Sequence, residues 1–246
     1  MLGRGRSVFW GLVVAKLKDS LVFERALLNL GHVVVGVDEV GRGALAGPLT
    51  VGAVVIRDDA TPPTGLKDSK LLSAPQRERL IGPLCEWAAA WSTGSVSAAE
   101  IDAWGLRVAL SVAANRALEA LTLTPTHALV DGPWNVLDAP VNFQLPNGVP
   151  HLRFDKLGVT TIVHGDRQCA TIAAAAVIAK VHRDNVMRTL DQSPRGYGWA
   201  ENKGYGTAAH LESLRRLGPS DEHRRSWRLP PKSPSDEGDL EGGTLL

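Results

Sequence analysis

Three short apolar segments that each run into an aspartate restrict the fold of this 246-residue chain more than any other feature. They are residues 32–38, which end at Asp38, residues 127–131, which end at Asp131, and residues 159–163, which lead to Asp166. The first segment is rich in valine and shows no alternation with polar residues, which is typical of a strand buried on both faces. The pattern predicts a sheet in which three strands carry an acidic residue at their ends.

The other patterned segments predict two more strands and a set of helices. We expect strands at residues 49–56 and 91–96. The short connection between the strands at 32–38 and 49–56 favours antiparallel pairing of these two. Capping-box sequences at Ser73 and Ser97 mark two helix starts. Helices are expected over residues 19–30, 73–90, 171–190 and 207–217, and one or two helices over residues 97–121. The predicted fold class is α/β, with a mixed sheet of about five strands flanked by helices and a small C-terminal helical region.

Composition is that of an ordinary globular chain. Apolar residues make up 44% of the sequence, enough to build a core without a disulfide or a structural metal. Cys85 and Cys169 lie far apart and in no metal-binding spacing. We divide the chain into an N-terminal extension (1–20), one domain that includes the C-terminal helical segment (21–228) and a disordered tail (229–246) rich in Pro, Ser, Gly and acidic residues.

The chain carries no signal that places it in a membrane. No apolar run approaches the roughly 18 residues that a transmembrane helix needs. Residues 7–15 follow Arg4 and Arg6 and faintly resemble a signal peptide, but the charged residues 16–19 make a poor cleavage site. We therefore expect a cytoplasmic protein.

The net charge of +1 hides an uneven distribution of charge. The tail is acidic, so the rest of the chain is more basic than the total suggests. Five arginines cluster shortly before the tail: Arg215, Arg216, Arg224, Arg225 and Arg228. The cluster is a candidate nucleic-acid-binding patch, although charge alone favours a solvated helix end.

Glu39 follows Asp38, so four carboxylates would converge if the three strand ends lie side by side. Such a group repels itself unless a cation balances its charge. Oxygen ligands of this kind favour Mg²⁺ or Mn²⁺, and sites that hold two such ions about 4 Å apart drive the attack of water on phosphodiesters. The alternative for Asp38 and Glu39 is that the pair caps its strand in solvent.

A glycine-rich loop, Gly41-Arg42-Gly43, begins three residues after Asp38. Glycines let backbone amides approach an anion closely, and the arginine fork can pair with a phosphate. On its own this sequence is better explained by a tight turn, and it lacks the Gly-Lys-Ser/Thr of a nucleotide-binding loop. Its place beside the predicted acidic cluster favours a phosphate site.

Together these motifs resemble the ribonuclease HII family, the type 2 ribonucleases H of bacteria. The motifs that carry the resemblance are GVDEVGRGALAGP at 36–48, LKDSK at 66–70, VDG at 130–132, GD at 165–166, IAAA at 172–175, AKV at 179–181, RD at 183–184, KGYGT at 203–207 with His210, and GP at 218–219 followed by HRRS at 223–226. They extend over residues 24–227 in the family's order, and the first motif is highly specific.

The resemblance implies a ribonuclease H-like core and an endoribonuclease that cuts the RNA strand of RNA–DNA hybrids. It also implies cleavage 5′ to single ribonucleotides embedded in duplex DNA, leaving 5′-phosphate and 3′-hydroxyl ends. The implied partners are RNA–DNA hybrid and ribonucleotide-containing duplex DNA, with no membrane partner, and we expect a monomer.

The family's functional residues carry over to this chain by position. The metal-binding catalytic acids match Asp38, Glu39, Asp131 and Asp166. The loop that reads the 2′-hydroxyl and the adjacent phosphate matches Gly41, Arg42 and Gly43, and the tyrosine that packs on the sugar at the RNA–DNA junction matches Tyr205. Expected phosphate contacts are Lys70, Lys180 and Arg183.

The chain departs from the family's pattern at His164, where family members usually carry lysine, and in the alanine-rich helix, where they usually carry serines in place of Thr171 and Ala176. Neither departure is expected to abolish catalysis, because all four acids remain. Two other functions stay open. A DNA-processing nuclease or transposase on the same core would cut all-DNA duplex, and a non-catalytic protein would bind hybrids without Mg²⁺-dependent cleavage.

Overall fold

The computed structural model describes residues 21–57, 61–66, 69–138, 156–192 and 196–233. The predicted N-terminal extension and the part of the predicted tail beyond residue 233 lie outside these ranges. The strands are β1 (Val34–Val40), β2 (Leu49–Ile56), β3 (Ala88–Val96), β4 (His127–Asp131) and β5 (Gly158–Ile162). The helices are α1 (Val22–Leu28), α2 (Ala74–Trp87), α3 (Ala98–Trp104), α4 (Leu106–Glu119), α5 (Ala170–Asp191), α6 (Trp199–Asn202) and α7 (Ala208–Leu217), with short 3₁₀ turns at Ser69–Leu71 and Gly165–Arg167.

The five strands form one mixed sheet in the order β3-β2-β1-β4-β5. The pairings of β1 with β2 and of β2 with β3 are antiparallel, whereas β1 with β4 and β4 with β5 are parallel. The predicted mixed sheet of about five strands and the antiparallel pairing of the first two are therefore confirmed.

The parallel half of the sheet brings the acidic strand ends together. Val37 of β1 is paired with Val130 of β4, so the next residues along the two strands are Asp38 and Asp131. Asp131 is in turn paired with Ile162, the last residue of β5. Because parallel strands end at the same edge of a sheet, the three segments singled out in the sequence deliver their acids to one place.

Glycines in the strands let two helices lie directly on the sheet. A Cβ atom at Gly36 would lie 2.3 Å from the carbonyl carbon of Thr171, and one at Gly52 would lie 2.3 Å from the carbonyl oxygen of Ala175, both in α5. On the other face a Cβ at Gly94 would lie 2.2 Å from the carbonyl oxygen of Ala113 in α4. The alanine-rich composition of α5 is explained by this close packing, because small side chains are needed where a helix backbone meets a strand.

The boundary between α2 and β3 differs from the prediction. The sequence favoured a helix as far as residue 90 and a strand from residue 91, but α2 ends at Trp87 and β3 begins at Ala88. Ala88 is paired with Ile56 and Ala90 with Val55 of β2. Pairing with a buried strand therefore overrides the helix propensity of three consecutive alanines.

The C-terminal helical region packs against the end of α5 and against the loop between β1 and β2. A cluster of buried residues joins these parts, namely Ala46, Met187, Tyr197, Trp199 and Leu214. Leu229 packs against this cluster, and the N–H of Ser233 donates a hydrogen bond to the carbonyl of Arg215 at 2.7 Å. The first residues of the predicted tail thus contact the domain. None of the helices in the described ranges is long and apolar enough to span a membrane.

A buried glutamate joins α1 to the first turn of α5. Glu24 is fully buried, and its Oε1 accepts hydrogen bonds from the N–H (2.9 Å) and the hydroxyl (2.8 Å) of Thr171. A helix N-terminus favours a negative charge, but burial is the larger effect and raises the pKa of Glu24. Its Oε2 has no hydrogen-bond partner among the described residues, so the charged form is poorly satisfied.

We expect the variant Glu24→Gln to gain stability relative to the natural protein as the pH rises above the ordinary glutamate pKa of 4.5. A carboxyl whose pKa is raised by folding stabilises the folded state at low pH and loses that contribution as the pH rises through the folded-state pKa, whereas glutamine does not titrate. Urea unfolding across the pH range measures the difference. The exposed Glu119→Gln is the control, and a difference for Glu24→Gln that does not change with pH would contradict the expectation.

Candidate active site

Three aspartates converge at the carboxyl ends of the parallel strands. Asp38 lies near the end of β1, Asp131 ends β4, and Asp166 lies in the 3₁₀ turn that follows β5. One carboxylate oxygen from each lies within 4.8 Å of those of the other two. The N–H of Gly165 donates to Asp131 Oδ1 at 2.7 Å, which fixes the turn that carries Asp166. The group is a candidate metal site.

Burial and repulsion both act on this group. Asp38 and Asp166 are almost completely buried. Burial raises the pKa of Asp38 well above its usual range, and the charges of Glu39 and Asp131 add to that rise. Buried carboxylates that repel one another are stabilised by a hard cation, which prefers oxygen ligands. The donor set therefore fits Mg²⁺ or Mn²⁺.

Glu39, the fourth predicted acid, lies beside the three aspartates and outside the group that could share one ion. Successive side chains of a strand point to opposite faces, which separates Glu39 from Asp38. Its carboxylate lies 3.6 Å from the guanidinium of Arg42. Burial raises the pKa of Glu39, and Arg42 partly offsets that rise. Glu39 thus links the acidic cluster to the glycine-rich loop.

Most of the sequence-predicted site residues line one cavity of about 280 Å³. Its predicted members are Asp38, Glu39, Gly41, Arg42, Gly43, Lys70, Asp131, Lys180 and Tyr205, together with Ala176. Asp166 does not line this cavity but contacts a residue that does, because Nζ of Lys70 lies 3.2 Å from Asp166 Oδ2. The neighbouring cavity, of about 540 Å³, shares Glu39, Arg42 and Asp131 and has the exposed Trp134 at its rim.

The glycine-rich loop has one glycine that the fold requires and one that it does not. Gly41 has a φ of +85°, and a Cβ there would lie 2.2 Å from Nε of Arg183. Around Gly43 no described atom lies within 4 Å of an added Cβ. Arg42 between them keeps about half of its side chain exposed, at 55%. The loop is therefore anchored at Gly41 and open at Arg42 and Gly43.

Arg183 does not lie where a phosphate could contact it. The side chain is completely buried, and its guanidinium donates to the carbonyls of Pro48 (2.7 Å), Lys203 (2.8 Å) and Ala46 (3.1 Å). A guanidinium whose donors are used by buried carbonyls stabilises the fold and is not available to a ligand. The expected phosphate contact at Arg183 is therefore corrected to a structural role.

Lys180 reaches the cavity but is held by a neighbour. Its Nζ donates to Asp184 Oδ1 at 2.7 Å, and the side chain is 20% exposed. Burial lowers the pKa of Lys180, although Asp184 opposes this. Arg77, whose side chain is 12% exposed and which the sequence did not single out, also lines the cavity and lies 3.8 Å from Asp184 Oδ2. Beside Glu78 and Arg79, Arg77 looks like an ordinary solvated charge of a helix, and the sequence offers no signal for such a position.

The predicted basic cluster divides into a buried arginine and an exposed set. Arg224 is completely buried and donates to the carbonyls of Gly41 (2.7 Å) and Arg42 (2.9 Å). The exposed members are Arg215, Arg216, Arg225 and Arg228. Arg224 therefore does not belong to a surface patch but supports the loop of the site, a role hidden by its arginine-rich surroundings in the sequence.

The departures at His164 and Ala176 lie at different distances from the cavity, and Thr171 is buried against Glu24. His164 is exposed, with a φ of 57° in the left-handed region. Ala176 is buried in α5 and lines the cavity. Only the change at Ala176 alters the wall of the site.

Comparison with known proteins identifies the family. A sequence model of ribonuclease HII matches residues 35–229. The chain belongs to the ribonuclease HII family. Its relatives include the ribonuclease HII of Nitrosococcus oceani, 44% identical over 199 residues (81% of this chain and 90% of that protein), and that of Rhodococcus opacus, 42% identical over 218 residues (88% and 89%).

Solved structures of the family share the fold. Ribonuclease H2 of Pyrococcus horikoshii OT3 matches with a TM-score of 0.57 and 27% identity, covering 79% of this chain and 93% of that one. RNase HII of Archaeoglobus fulgidus, solved in a complex with PCNA, matches with a TM-score of 0.60 and 25% identity, covering 82% and 98%. The predicted ribonuclease H-like core is confirmed. As a member of ribonuclease HII, the chain is a ribonuclease H, a metal-dependent endonuclease that acts on RNA.

Proposed function

We propose that this ribonuclease H cleaves the RNA strand of RNA–DNA hybrids and also cuts 5′ to single ribonucleotides embedded in duplex DNA. The observation that carries the proposal is the shared cavity: Asp38 and Asp131 of the acidic cluster, the Gly41–Gly43 loop and Tyr205 line the same space. A cut at a ribonucleotide needs a phosphodiester-hydrolysing centre and a reader of the 2′-hydroxyl within one nucleotide of each other. Their meeting in one cavity of about 280 Å³ fits that need.

Asp38, Asp131 and Asp166 would hold two ions of Mg²⁺ or Mn²⁺, with Glu39 at the edge of the same site. When bound, these ions supply an activated water and neutralise charge on the leaving 3′-oxygen. The aspartates fix the position of the reacting phosphate relative to the loop, because two of them lie at paired ends of β1 and β4. Lys70 and Arg42, which already contact acids of the site, are placed to pair with phosphate oxygens once substrate enters.

Selection of the ribonucleotide falls to the loop and to Tyr205. The open face of Arg42 and Gly43 lets a backbone approach a 2′-hydroxyl, a group that DNA lacks. The ring of Tyr205 lies over the buried guanidinium of Arg183, 5.5 Å from its Cζ. That support keeps the ring in place to pack on a sugar at the junction. The Lys180 ammonium is a further candidate contact for the backbone of the strand.

We expect Tyr205→Ala to lower kcat/KM on a duplex with one ribonucleotide by about tenfold more than on a long RNA–DNA hybrid, because one stacking contact on an aromatic ring contributes ~1–3 kcal/mol. Tyr205→Phe keeps the ring and is the matched control. Parallel steady-state kinetics on the two substrates measure the ratio. An equal loss of kcat/KM on both substrates would show that Tyr205 does not pack at the junction.

The proposed activity is tested by comparing three labelled substrates: a hybrid with an all-RNA strand, a duplex with one ribonucleotide and an all-DNA duplex, each with Mg²⁺, Mn²⁺ or chelator. Cleavage of the first two with either metal, and of neither with chelator, is the expected result. Equal cleavage of the all-DNA duplex would favour a DNA nuclease, and binding without any cleavage would favour a non-catalytic hybrid-binding protein.

A further inference from the structure

The loop between β1 and β2 is held between two C-terminal segments. On one side the N–H groups of Leu45 (2.8 Å) and Ala46 (3.2 Å) donate to the carbonyl of Gly204, next to Tyr205. On the other side the N–H of Gly47 donates to the carbonyl of Glu222 at 2.8 Å, and the N–H of Arg224 to that of Leu45 at 2.9 Å. The loop that begins with Gly41-Arg42-Gly43 therefore takes its shape from residues that follow it by more than 150 positions.

The side chain of Arg224 determines the direction of the loop's amides. Its guanidinium donates to the carbonyls of Gly41 (2.7 Å) and Arg42 (2.9 Å) and to that of Gly47 (3.1 Å). In a trans peptide the C=O of one residue and the N–H of the next point in opposite directions. The carbonyls of Gly41 and Arg42 face the buried guanidinium, so the N–H groups of Arg42 and Gly43 point away from it. Neither of these amides donates a hydrogen bond to any described residue.

The neighbouring His223 is linked through His210 to Tyr205, the second element that would recognise the ribonucleotide. Its Nδ1 accepts from the N–H (3.0 Å) and the hydroxyl (2.9 Å) of Ser220, so its proton lies on Nε2. This Nε2–H donates to Nε2 of His210 at 3.1 Å. Because Nε2 of His210 accepts, the ring proton of His210 lies on Nδ1. This Nδ1–H donates to the backbone carbonyl of Tyr205 at 2.9 Å. The order of donors assigns one tautomer to each ring.

Both rings are buried and packed among aromatic side chains. His210 is 0% and His223 1% exposed. The indole N–H of Trp199 also donates to Nε2 of His210 at 3.2 Å, and the ring of Tyr197 lies 4.7 Å from that of His223. Burial lowers the pKa of His210, which agrees with a neutral ring that accepts at Nε2. Both histidines that link to Tyr205 are thus enclosed by packed side chains.

We propose that the dipeptide His223-Arg224 is the positioning element that sets the Gly41–Gly43 amides and Tyr205 at a fixed separation. This inference rests on the proposed function, because it assigns a purpose to the two elements that read the ribonucleotide. Arg224 acts through the loop carbonyls, and His223 acts through His210 and the Tyr205 carbonyl. Neither side chain lines the cavity of about 280 Å³. Both are positioning residues for the choice of substrate.

A matched pair of variants at His210 tests the link to Tyr205. In His210→Asn the side-chain amide nitrogen takes the place of Nδ1 and keeps the donor to the Tyr205 carbonyl. In His210→Gln the amide lies near Nε2 instead, so contact with His223 is kept and the bond to Tyr205 is lost. Arg224→Lys tests the other branch, since an ammonium keeps the charge but cannot contact three carbonyls as the guanidinium fork does.

The readout is the ratio of kcat/KM on a single-ribonucleotide duplex to that on a long hybrid, with thermal unfolding midpoints for every variant. We expect His210→Gln and Arg224→Lys to lower the ratio by about tenfold, because a misplacement of about 1 Å can lower the rate about 100-fold and the loss of one support should displace the elements by less. His210→Asn is expected to stay within about twofold of the natural ratio. In a Tyr205→Ala background, His210→Gln should lower the ratio no further, because both changes act through one element.

Losses that are equal on both substrates and follow the unfolding midpoint in both His210 variants would overturn the proposal and leave a structural role. A binding experiment separates this outcome from failure of the proposed function. For each variant it measures, in Ca²⁺, the ratio of the affinity for a single-ribonucleotide duplex to the affinity for an all-DNA duplex. If the natural protein does not cut the single-ribonucleotide duplex, the proposed function fails. The binding ratios of the variants then still decide the positioning role: loss of preference in His210→Gln but not in His210→Asn supports it, and its retention in both overturns it.

Discussion

Replacing Asp131 with asparagine is expected to reduce metal-dependent cleavage by about 10³-fold or more while substrate binding persists. The loss corresponds to several kcal/mol of charge stabilisation at the metal site. Asparagine keeps the Oδ1 that accepts the N–H of Gly165, so the turn that carries Asp166 stays in place. Asp38→Asn is expected to behave in the same way, since its carboxylate belongs to the same cluster. Single-turnover cleavage and a binding titration on one hybrid measure the two quantities.

The same variants are expected to be more stable than the natural protein in the absence of divalent cations. Burial and the charges of Glu39 and Asp131 disfavour the ionised form of Asp38, and removal of one charge relieves that repulsion. Asp221→Asn, at an exposed site paired with Arg225, is the matched control for loss of a carboxylate. Near-normal turnover in both cluster variants would contradict the assignment of the site. Unchanged stability would contradict only the repulsion between the acids.

A large loss of both stability and cleavage is expected for Gly41→Ala. In Gly41→Ala a methyl group would meet Nε of Arg183 at 2.2 Å and the carbonyl oxygen of Pro48 at 2.8 Å, on a backbone with a φ of +85°. Strain and overlap of this kind cost ~3 kcal/mol, and the displaced loop should lose cleavage as well. Urea unfolding and kcat/KM on a hybrid measure both losses.

Gly43→Ala is the control for that prediction. No described atom lies within 4 Å of an added Cβ at Gly43, so its free energy of unfolding should change by less than ~0.5 kcal/mol. Activity on ribonucleotide substrates is a separate readout, because a methyl group on the open face would obstruct a closely approaching 2′-hydroxyl. Equal destabilisation by the two changes would show that the loop is not anchored at Gly41 in the way described.

The acidic centre could be predicted from the sequence because its signal is local. Each aspartate follows its own apolar strand, and parallel strands bring their ends to one edge. The sequence predicts Glu39 as a member of one group with the three aspartates, but strand alternation turns its side chain away from that of Asp38, and Glu39 lies outside the group of three. What the sequence did not contain was the pairing of β1 with β4, which joins segments about 90 positions apart and rests on the fold as a whole.

The buried arginines could not be predicted for a physical reason. Arg183 and Arg224 stand among charged neighbours, and that pattern is typical of a solvated surface. Their guanidinium groups are buried because each finds at least three backbone carbonyls in irregular loops. Carbonyls of loops leave no trace in side-chain patterns, so the burial of an arginine that satisfies them becomes visible only in three dimensions.

The most direct test of the proposed function is to map the cut in an end-labelled DNA duplex that contains one ribonucleotide, beside the same duplex with the corresponding deoxynucleotide. The expected result is a single metal-dependent cut on the 5′ side of the ribonucleotide, with 3′-hydroxyl and 5′-phosphate ends, and no cut in the control. A cut on the 3′ side, cleavage of the control, or cleavage that survives chelation would contradict it.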